Sequence, residues 1–402
     1  MKPAKIVLIA VMTILVIGLI VGCSKKEEAG APASKQAVEQ PPIKIGAVFS
    51  VTGAGAKLGG PEKNTALMIQ DAINAAGGIN GRKIQVIIED DESNEENTQK
   101  AVTKLITSDE VVAIIGPTRS GSGFAAAPIC EEAGVPLLSC AAAWIQLFMD
   151  RKTSNPMYKY VFKTPQNDSH CARNIFADCQ KKGYKRVALI TGTDGFGAAG
   201  RQELLSSAKD FGLKIVADET YPPDASDLTP ILTKIKSAKP QALINWSIVE
   251  AQRLLPAQVK QVNLKVQLYQ SHGFGNPANI TPAAEGLLFP AGRLLILGDL
   301  DQSNPQYAVL SKFKSDYETK YGENVSTFAG HAYDALWLII NAIKAGSADR
   351  NSIRSGVEST KGFVGTAGIF NMSPTDHCGL SDDAFVMITV KDGKFKLAEA
   401  VK

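Results

Sequence analysis

The sequence predicts an α/β fold of two similar lobes facing one cleft. Three observations carry that reading. Apolar runs of strand length alternate with helical patterns along nearly the whole chain, the order that builds mainly parallel sheets covered by helices. Four strand-end loops resemble one another, namely Ser50–Gly60, Gly116–Gly123, Thr191–Gly197 and Asn245–Glu250. Two fall in the first half and two in the second, and ligands of such sheets sit beyond the carboxyl ends of the strands.

The bounds agree. A chain of 402 residues is long enough for two domains. With 45% hydrophobic residues, 21% charged residues and a formal net charge of +3, it is an ordinary globular chain. It has no basic field of the kind that nucleic acid requires.

The chain opens with Lys2 and Lys5, then an apolar core, Ile6–Val21, shorter than a typical membrane span. The core ends in Leu19-Ile20-Val21-Gly22-Cys23, which resembles a bacterial lipobox. That resemblance implies a leader, residues 1–22, cut before a cysteine that becomes acylated. Cys23 is then a lipid anchor, and the protein is exported and held to a membrane of the cell envelope on its periplasmic face. Residues 23–42, rich in Lys, Glu, Ala, Pro and Gln without an apolar period, read as the flexible tether behind it.

Folding starts at the strand Ile43–Phe49. The loop Ser50–Gly60 follows, with Pro61 suited to the first turn of the next helix and Gly77-Gly78 closing it. Lys83–Glu89 is a second strand. The acidic run Glu89–Glu96 precedes a helix over Thr98–Thr107 and reads as solvated acids near a helix start. Val111–Ile115 is a buried strand that breaks at Gly116-Pro117 into Thr118-Arg119-Ser120-Gly121-Ser122-Gly123. A helical pattern runs on to Gly134, and Pro136–Leu138 is another strand. Strand, glycine-rich turn and helix start form an anion site, because the first helical N–H groups lack partners and the dipole there is positive. Ser120 adds a hydroxyl and Arg119 a charge. The competing reading is a serine that merely caps the helix.

The alternation continues. Strands are expected at Val187–Ile190, Lys214–Ala217, Ala242–Asn245, Val266–Tyr269 and Leu287–Phe289, with helices between the first four. Long helices follow at roughly 305–321 and 327–345. Val364–Phe370, Ala384–Val390 and Phe395–Ala398 read as strands, the last two joined through Asp392-Gly393 as a hairpin.

Other chemistry is weak. Cys130, Cys140, Cys171, Cys179 and Cys378 have no zinc-site spacing. Cys171 and Cys179 lie about 12 Å apart along one helix, too far to bridge. Gly195-Phe196-Gly197-Ala198-Ala199-Gly200 fits G-x-G-x-x-G, with Asp218 placed for a ribose, so a nicotinamide-dependent enzyme is one alternative. Against it, Thr191–Asp194 intervenes where a dinucleotide turn is tight, and an exported chain lies away from the nicotinamide pool. No G-x-S-x-G elbow exists. His331, three residues before Asp334, reads as a residue of a helix facing the core. No catalytic residue, metal or cofactor is expected.

Taken together, IKIGAVFSVTGAGAKLG, DAINAAGGINGRKIQVIIEDD, IIGPTRSGSGFAAAPICEEAGVPLLS, YVFKTPQND, ALITGTDGFGAAGR, QSHGFGN, AAEGLLFP and FAGHAYDALWLIINAI resemble the type I periplasmic solute-binding proteins of branched-chain amino-acid (Leu/Ile/Val) ABC transporters. The resemblance covers Ile43–Lys402. It implies two Rossmann-like lobes joined by three hinge strands, near Lys163-Thr164-Pro165, Pro290–Gly292 and Phe370–Met372. The lobes would be 43–163 plus 292–370, and 164–291 plus 371–402. Partners would be the permease and ATPase of an importer; a receptor that signals instead is the alternative. The serine that receives a ligand carboxylate matches Ser120. The carbonyl and hydroxyl positions after the next strand match Ala141, Ala142 and Ala143, where Ala143 lacks the hydroxyl. The second-lobe aromatic matches Phe196, and the position beyond Asn245 falls at Trp246 or Ser247. The acid that pairs with a ligand ammonium falls at His272, with Asp194 and Glu250 as nearby substitutes, and the first-loop aromatic falls at Leu58. An altered acid and a missing hydroxyl point to an organic acid, aromatic or aliphatic, rather than a branched-chain amino acid.

Overall fold

The computed structural model describes residues 40–143 and 158–399. The expected leader, Cys23 and the tether as far as residue 39 lie outside the described residues. The first sheet has the order β2-β1-β3-β4-β5, all parallel. Its strands are β1 (Ile43–Phe49), β2 (Ile84–Asp90), β3 (Ala113–Ile115), β4 (Leu137–Ser139) and β5 (Val161–Lys163). β1 pairs on both sides, Ile45 with Val86 and Ala113. Helices cover both faces, which explains why its strands read as unbroken apolar runs. Ile45, Phe49 and Ile115 are wholly buried, each side chain contributing about 1.5–3 kcal/mol. The helices of this stretch are α1 (Ala56–Ala75), α2 (Glu95–Thr107) and α3 (Ser120–Ala133).

The second sheet has the order β14-β13-β10-β9-β8-β6-β7. Its parallel part is β6 (Arg186–Gly192), β7 (Lys214–Tyr221), β8 (Ala242–Trp246), β9 (Gln267–Gln270) and β10 (Leu288–Ala291). α4 (Asp168–Lys181), α5 (Gly195–Ser207), α6 (Thr229–Ser237) and α7 (Ala251–Gln261) accompany it. Asp194 caps α5 by accepting from the N–H groups of Phe196 and Gly197 at 3.0 and 3.3 Å. The chain then returns to the first sheet through α8 (Tyr307–Tyr321), α9 (Thr327–Ala345) and α10 (Arg350–Glu358). Ala335, Ile339 and Ile343 of α9 pack with Ile69 and Ile73 of α1.

Three expectations shift. α1 begins at Ala56, so the first loop is shorter and Pro61 lies inside the helix. Proline lacks the N–H that would bond the Lys57 carbonyl four residues back, and Asn276 Nδ2 donates to that carbonyl instead, at 3.0 Å. Pro256 in α7 does the same for the Gln252 carbonyl, which accepts from Gln270 Nε2 at 3.1 Å. Val364–Phe370 is not one strand but two, β11 (Phe363–Val364) and β12 (Ile369–Phe370), folded back on each other. The third crossing, expected near 370–372, comes later: Met372, Cys378, Leu380 and Ala384 still pack in the first core. The chain joins the second sheet at β13 (Val386–Lys391). β14 (Lys394–Leu397) pairs antiparallel with it across Asp392-Gly393, both with positive φ, the expected hairpin.

Candidate ligand-binding site

A cavity lies beyond the carboxyl ends of both sheets. From the first sheet come Thr118 and Ser120 after β3, Cys140 and Ala142 after β4, and Pro165 after β5. From the second come Phe196 at the start of α5, Ile248 after β8, and His272 and Gly273 after β9. The first turns of α9 close it with Thr327, Phe328 and His331. It is small: about 20 Å³ is open to the centre of a water molecule. Larger occupants need side chains to turn or the two halves to part.

The halves meet around it. Asn276 reaches Lys57 as described, and Lys57 Nζ pairs with Glu250 Oε2 at 3.0 Å. That ion pair is exposed and worth little. Closer in, a Cβ on Gly195 would stand 2.9 Å from Gly121 N and 3.0 Å from Phe124 Cε2. Only glycine permits this approach of α5 to α3.

The first wall is polar and braced from behind. Gly116, with φ of +89°, turns the chain where a Cβ would strike the Val48 carbonyl at 2.1 Å. The turn places Thr118 to accept from the Ser50 N–H at 3.0 Å while donating to Glu62. Glu62 is fully buried, and burial pushes its carboxyl well above the usual range, against the Thr118 bond. Asp91, also fully buried, gathers Ser50 Oγ at 2.7 Å, Ser93 N at 2.9 Å, Thr98 Oγ1 at 3.1 Å and Ser122 Oγ at 2.8 Å. One carboxylate thus joins the loops after β1 and β2 to the first turn of α3.

Ser120 is the first helical residue, not the cap. The N-cap position is Arg119, whose side chain makes no capping bond. Ser120 is 2% exposed, and its Oγ accepts from the Ala143 N–H at 3.4 Å. Arg119 does not line the cavity; its Nη1 donates to the Ser93 carbonyl at 2.9 Å. Ala141 and Ala143 are buried beside Ala142, whose carbonyl accepts from Lys163 Nζ. Lys163 is wholly buried and also donates to Asn167 Oδ1 at 2.9 Å.

The second wall is aromatic. Phe196 lies 5.8 Å from Trp246 and 5.3 Å from His272, ring to ring. Trp246 stands behind these two rather than on the cavity, under Gly200, where a Cβ would meet its ring at 2.1 Å. Ser247 is buried there too, its Oγ accepting from the Val249 N–H at 3.1 Å. Leu58, in the first turn of α1, is buried but off the cavity. The structure therefore brings together Ser120, Phe196 and His272, and leaves Arg119, Leu58, Ala141, Ala143, Trp246 and Ser247 outside the lining.

His331 faces the cavity rather than the core. Asp334 is not its partner: that carboxylate accepts from the N–H groups of Thr366 and Ala367 and from Thr366 Oγ1. The acid beside His272 is neither Asp194, which caps α5, nor Glu250, which is paired with Lys57 and Arg253. It is Asp168, 1% exposed, with Oδ1 3.6 Å from His272 Nε2. Burial pushes Asp168 up to about 7, opposed by the charge of Lys163. Burial, helped by Lys163, drives His272 well below the ordinary imidazole range and His331 down to about 3. Both rings are neutral at physiological pH.

The G-x-G-x-x-G glycines serve packing. Gly195 meets α3, Gly197 sits on the Gly192 carbonyl and Gly200 lies against Trp246. Asp218 is held bidentately by Arg201. The five thiols are buried and free, and burial raises each, Cys378 to about 11. Among the described residues no helix is long and apolar enough to cross a membrane, and no cluster of His, Cys, Asp and Glu could hold a metal ion.

Two α/β halves meeting over a lined cavity at their strand ends define a two-lobed solute-binding protein. The chain belongs to the periplasmic binding protein family, whose sequence profile matches residues 42–394. It is 27% identical, over 77% of its length and 80% of the relative's, to a leucine-, isoleucine-, valine-, threonine- and alanine-binding protein of Pseudomonas aeruginosa. A crystal structure of an extracellular ligand-binding receptor from Rhodopseudomonas palustris HaA2 matches with a TM-score of 0.82 and 27% identity, covering 89% of this chain and 100% of that one. The branched-chain amino acid transporter substrate binding protein of Streptococcus pneumoniae, in complex with isoleucine, matches with a TM-score of 0.76 and 27% identity, covering 89% and 99%. Family members bind small molecules, serve ABC transporters and are exported.

Proposed function

We propose that this protein is a lipid-anchored receptor that captures a small organic acid between its lobes and delivers it to an ABC importer. The carrying observation is the buried Ser120 hydroxyl at the uncapped start of α3, on the cavity wall and opposite Phe196. A helix start and a hydroxyl together suit a carboxylate. The ring of Phe196, backed by Trp246, suits an apolar body. An acid without an α-amine is favoured because a buried ammonium needs a partner, and the position that would supply one is the neutral His272. The lobes close on the acid about the crossings near Lys163–Pro165, Pro290–Gly292 and the segment before β13.

Two observations favour a second reading, an α-amino acid. Asp168 stands behind His272, and the Pseudomonas and Streptococcus relatives bind amino acids by name. Against it, the charge of buried Lys163 already acts on Asp168. Thermal-shift screening separates the two, since a ligand of the folded state raises the melting temperature. Benzoate-like or short-chain acids should raise it, and leucine, isoleucine and valine should not. Micromolar leucine binding would restore the amino-acid reading.

A further inference from the structure

Two sides of the cavity each present an imidazole with a ring nitrogen that the fold leaves unpaired. His272 follows β9 and His331 lies in the second turn of α9; they are 7% and 6% exposed, and both line the cavity. Among the described residues, neither ring nitrogen of His272 has a hydrogen-bond partner, nor has Nδ1 of His331. The rings around His272 are Phe196, Trp246 and Phe385, at 5.3, 5.7 and 5.4 Å. They fix its plane and accept no strong hydrogen bond. Native folds pair their buried polar groups, so unpaired ones on residues that line a cavity point to what fills it.

The chemistry of that occupant follows from the tautomer. Asp168 Oδ1 lies 3.6 Å from Nε2 of His272, beyond hydrogen-bond distance, and its charge favours the proton on Nε2, which leaves Nδ1 as the acceptor. Nδ1 then requires a donor. A carbonyl or carboxylate on the ligand has none. A hydroxyl donates to one imidazole and accepts from the other, with no charge to bury. We infer that the His272–His331 pair reads a hydroxyl, and that the ligand is a hydroxylated carboxylic acid, with Asp168 a positioning residue that sets the His272 tautomer. The inference rests on the carboxylate reading proposed above.

Calorimetry on the full-length protein in mild detergent tests it with matched pairs: benzoate against 3- and 4-hydroxybenzoate, and pentanoate against 5-hydroxypentanoate. In at least one pair the hydroxylated acid should bind tighter by roughly tenfold or more, because a site built for a hydroxyl rejects the analogue lacking it. His272→Phe and His331→Phe should bring that ratio toward one. Asp168→Asn should reduce the ratio, a readout that a purely structural role would not move. Equal affinity within every wild-type pair overturns the inference alone, as does a ratio that survives both phenylalanine variants. If no acid in the panel binds, the carboxylate reading fails and this inference fails with it. The wild-type comparison needs no variant to fold.

Discussion

Replacing Gly195 by alanine should impair capture without harming the fold. Gly195 is the first residue of α5, where alanine is tolerated or mildly stabilising, by about 0.4–1 kcal/mol. Its added methyl belongs to the second half, but the atoms it would strike, Gly121 N at 2.9 Å and Phe124 Cε2 at 3.0 Å, belong to the first. Ordinary carbon contacts lie at about 3.5–4.0 Å, so closure would stop roughly half an ångström or more short. Overpacking of this kind costs about 1–3 kcal/mol, and the parted state avoids it entirely. At 1.4 kcal/mol per tenfold, affinity should fall by roughly five- to 140-fold. Calorimetry with an acid found by thermal shift reads the loss, and the melting temperature without ligand should hold or rise. Gly298→Ala is the control, since its Cβ would meet nothing within 4 Å. Wild-type affinity for Gly195→Ala would refute the reasoning: the liganded halves would then not meet at α3 and α5.

Other outcomes follow from single groups. Ser120→Ala should weaken binding of an acid by about tenfold or more, from a charge-assisted bond worth about 1.5–3 kcal/mol, with little change in stability without ligand; equal calorimetric affinities would leave Ser120 no part in capture. Cys23→Ala should leave the body ligand-competent but release it from membranes or stall its maturation; mature-sized protein still fractionating with membranes would argue against the anchor. His331 has a folded pKa depressed to about 3 from an ordinary 6.5. The unfolded chain therefore takes up the proton first, and stability present above pH 6.5 is lost as pH falls toward 3. Between pH 7 and 5 the wild type should lose about 2 kcal/mol more than His331→Gln in urea melts; identical losses would mean the ring is not held neutral.

What the sequence made legible was the part governed by local pattern. Alternation of strand and helix located both sheets, and Asp392-Gly393 marked the hairpin. The strand-end loops brought Ser120, Phe196 and His272 to one cavity because in parallel sheets those loops share an edge. The departures have physical causes. The run from Gly53 to Gly60 looks like a loop because glycine favours loops, but Gly59 is there for space: a Cβ would lie 2.3 Å from the Ser50 carbonyl. That shift moved Leu58 into a helix and off the cavity. Asp168 closes the run YVFKTPQND, yet its neighbour His272 is over a hundred residues away, and no periodicity reports such a pairing. His331 sits on a helix that is apolar on most sides, so its pattern did not reveal that the first turns leave the core.

The Asp91 corner bears on how such a receptor changes cargo. Three hydroxyls and an N–H from four stretches of chain converge on one carboxylate. Losing the acid strands the Ser50 and Ser122 hydroxyls and the Ser93 N–H at once, while Thr98 Oγ1 keeps the Asn94 carbonyl at 2.9 Å; losing any one donor leaves the others in place. If the ligand is the acid proposed above, the wall that would hold its carboxylate end is therefore resistant to drift. Phe196, Ile248 and Phe328, which contribute apolar surface to the rest of the lining, carry no such obligations. Exchanging those residues is therefore the change in specificity that disturbs the fewest hydrogen bonds.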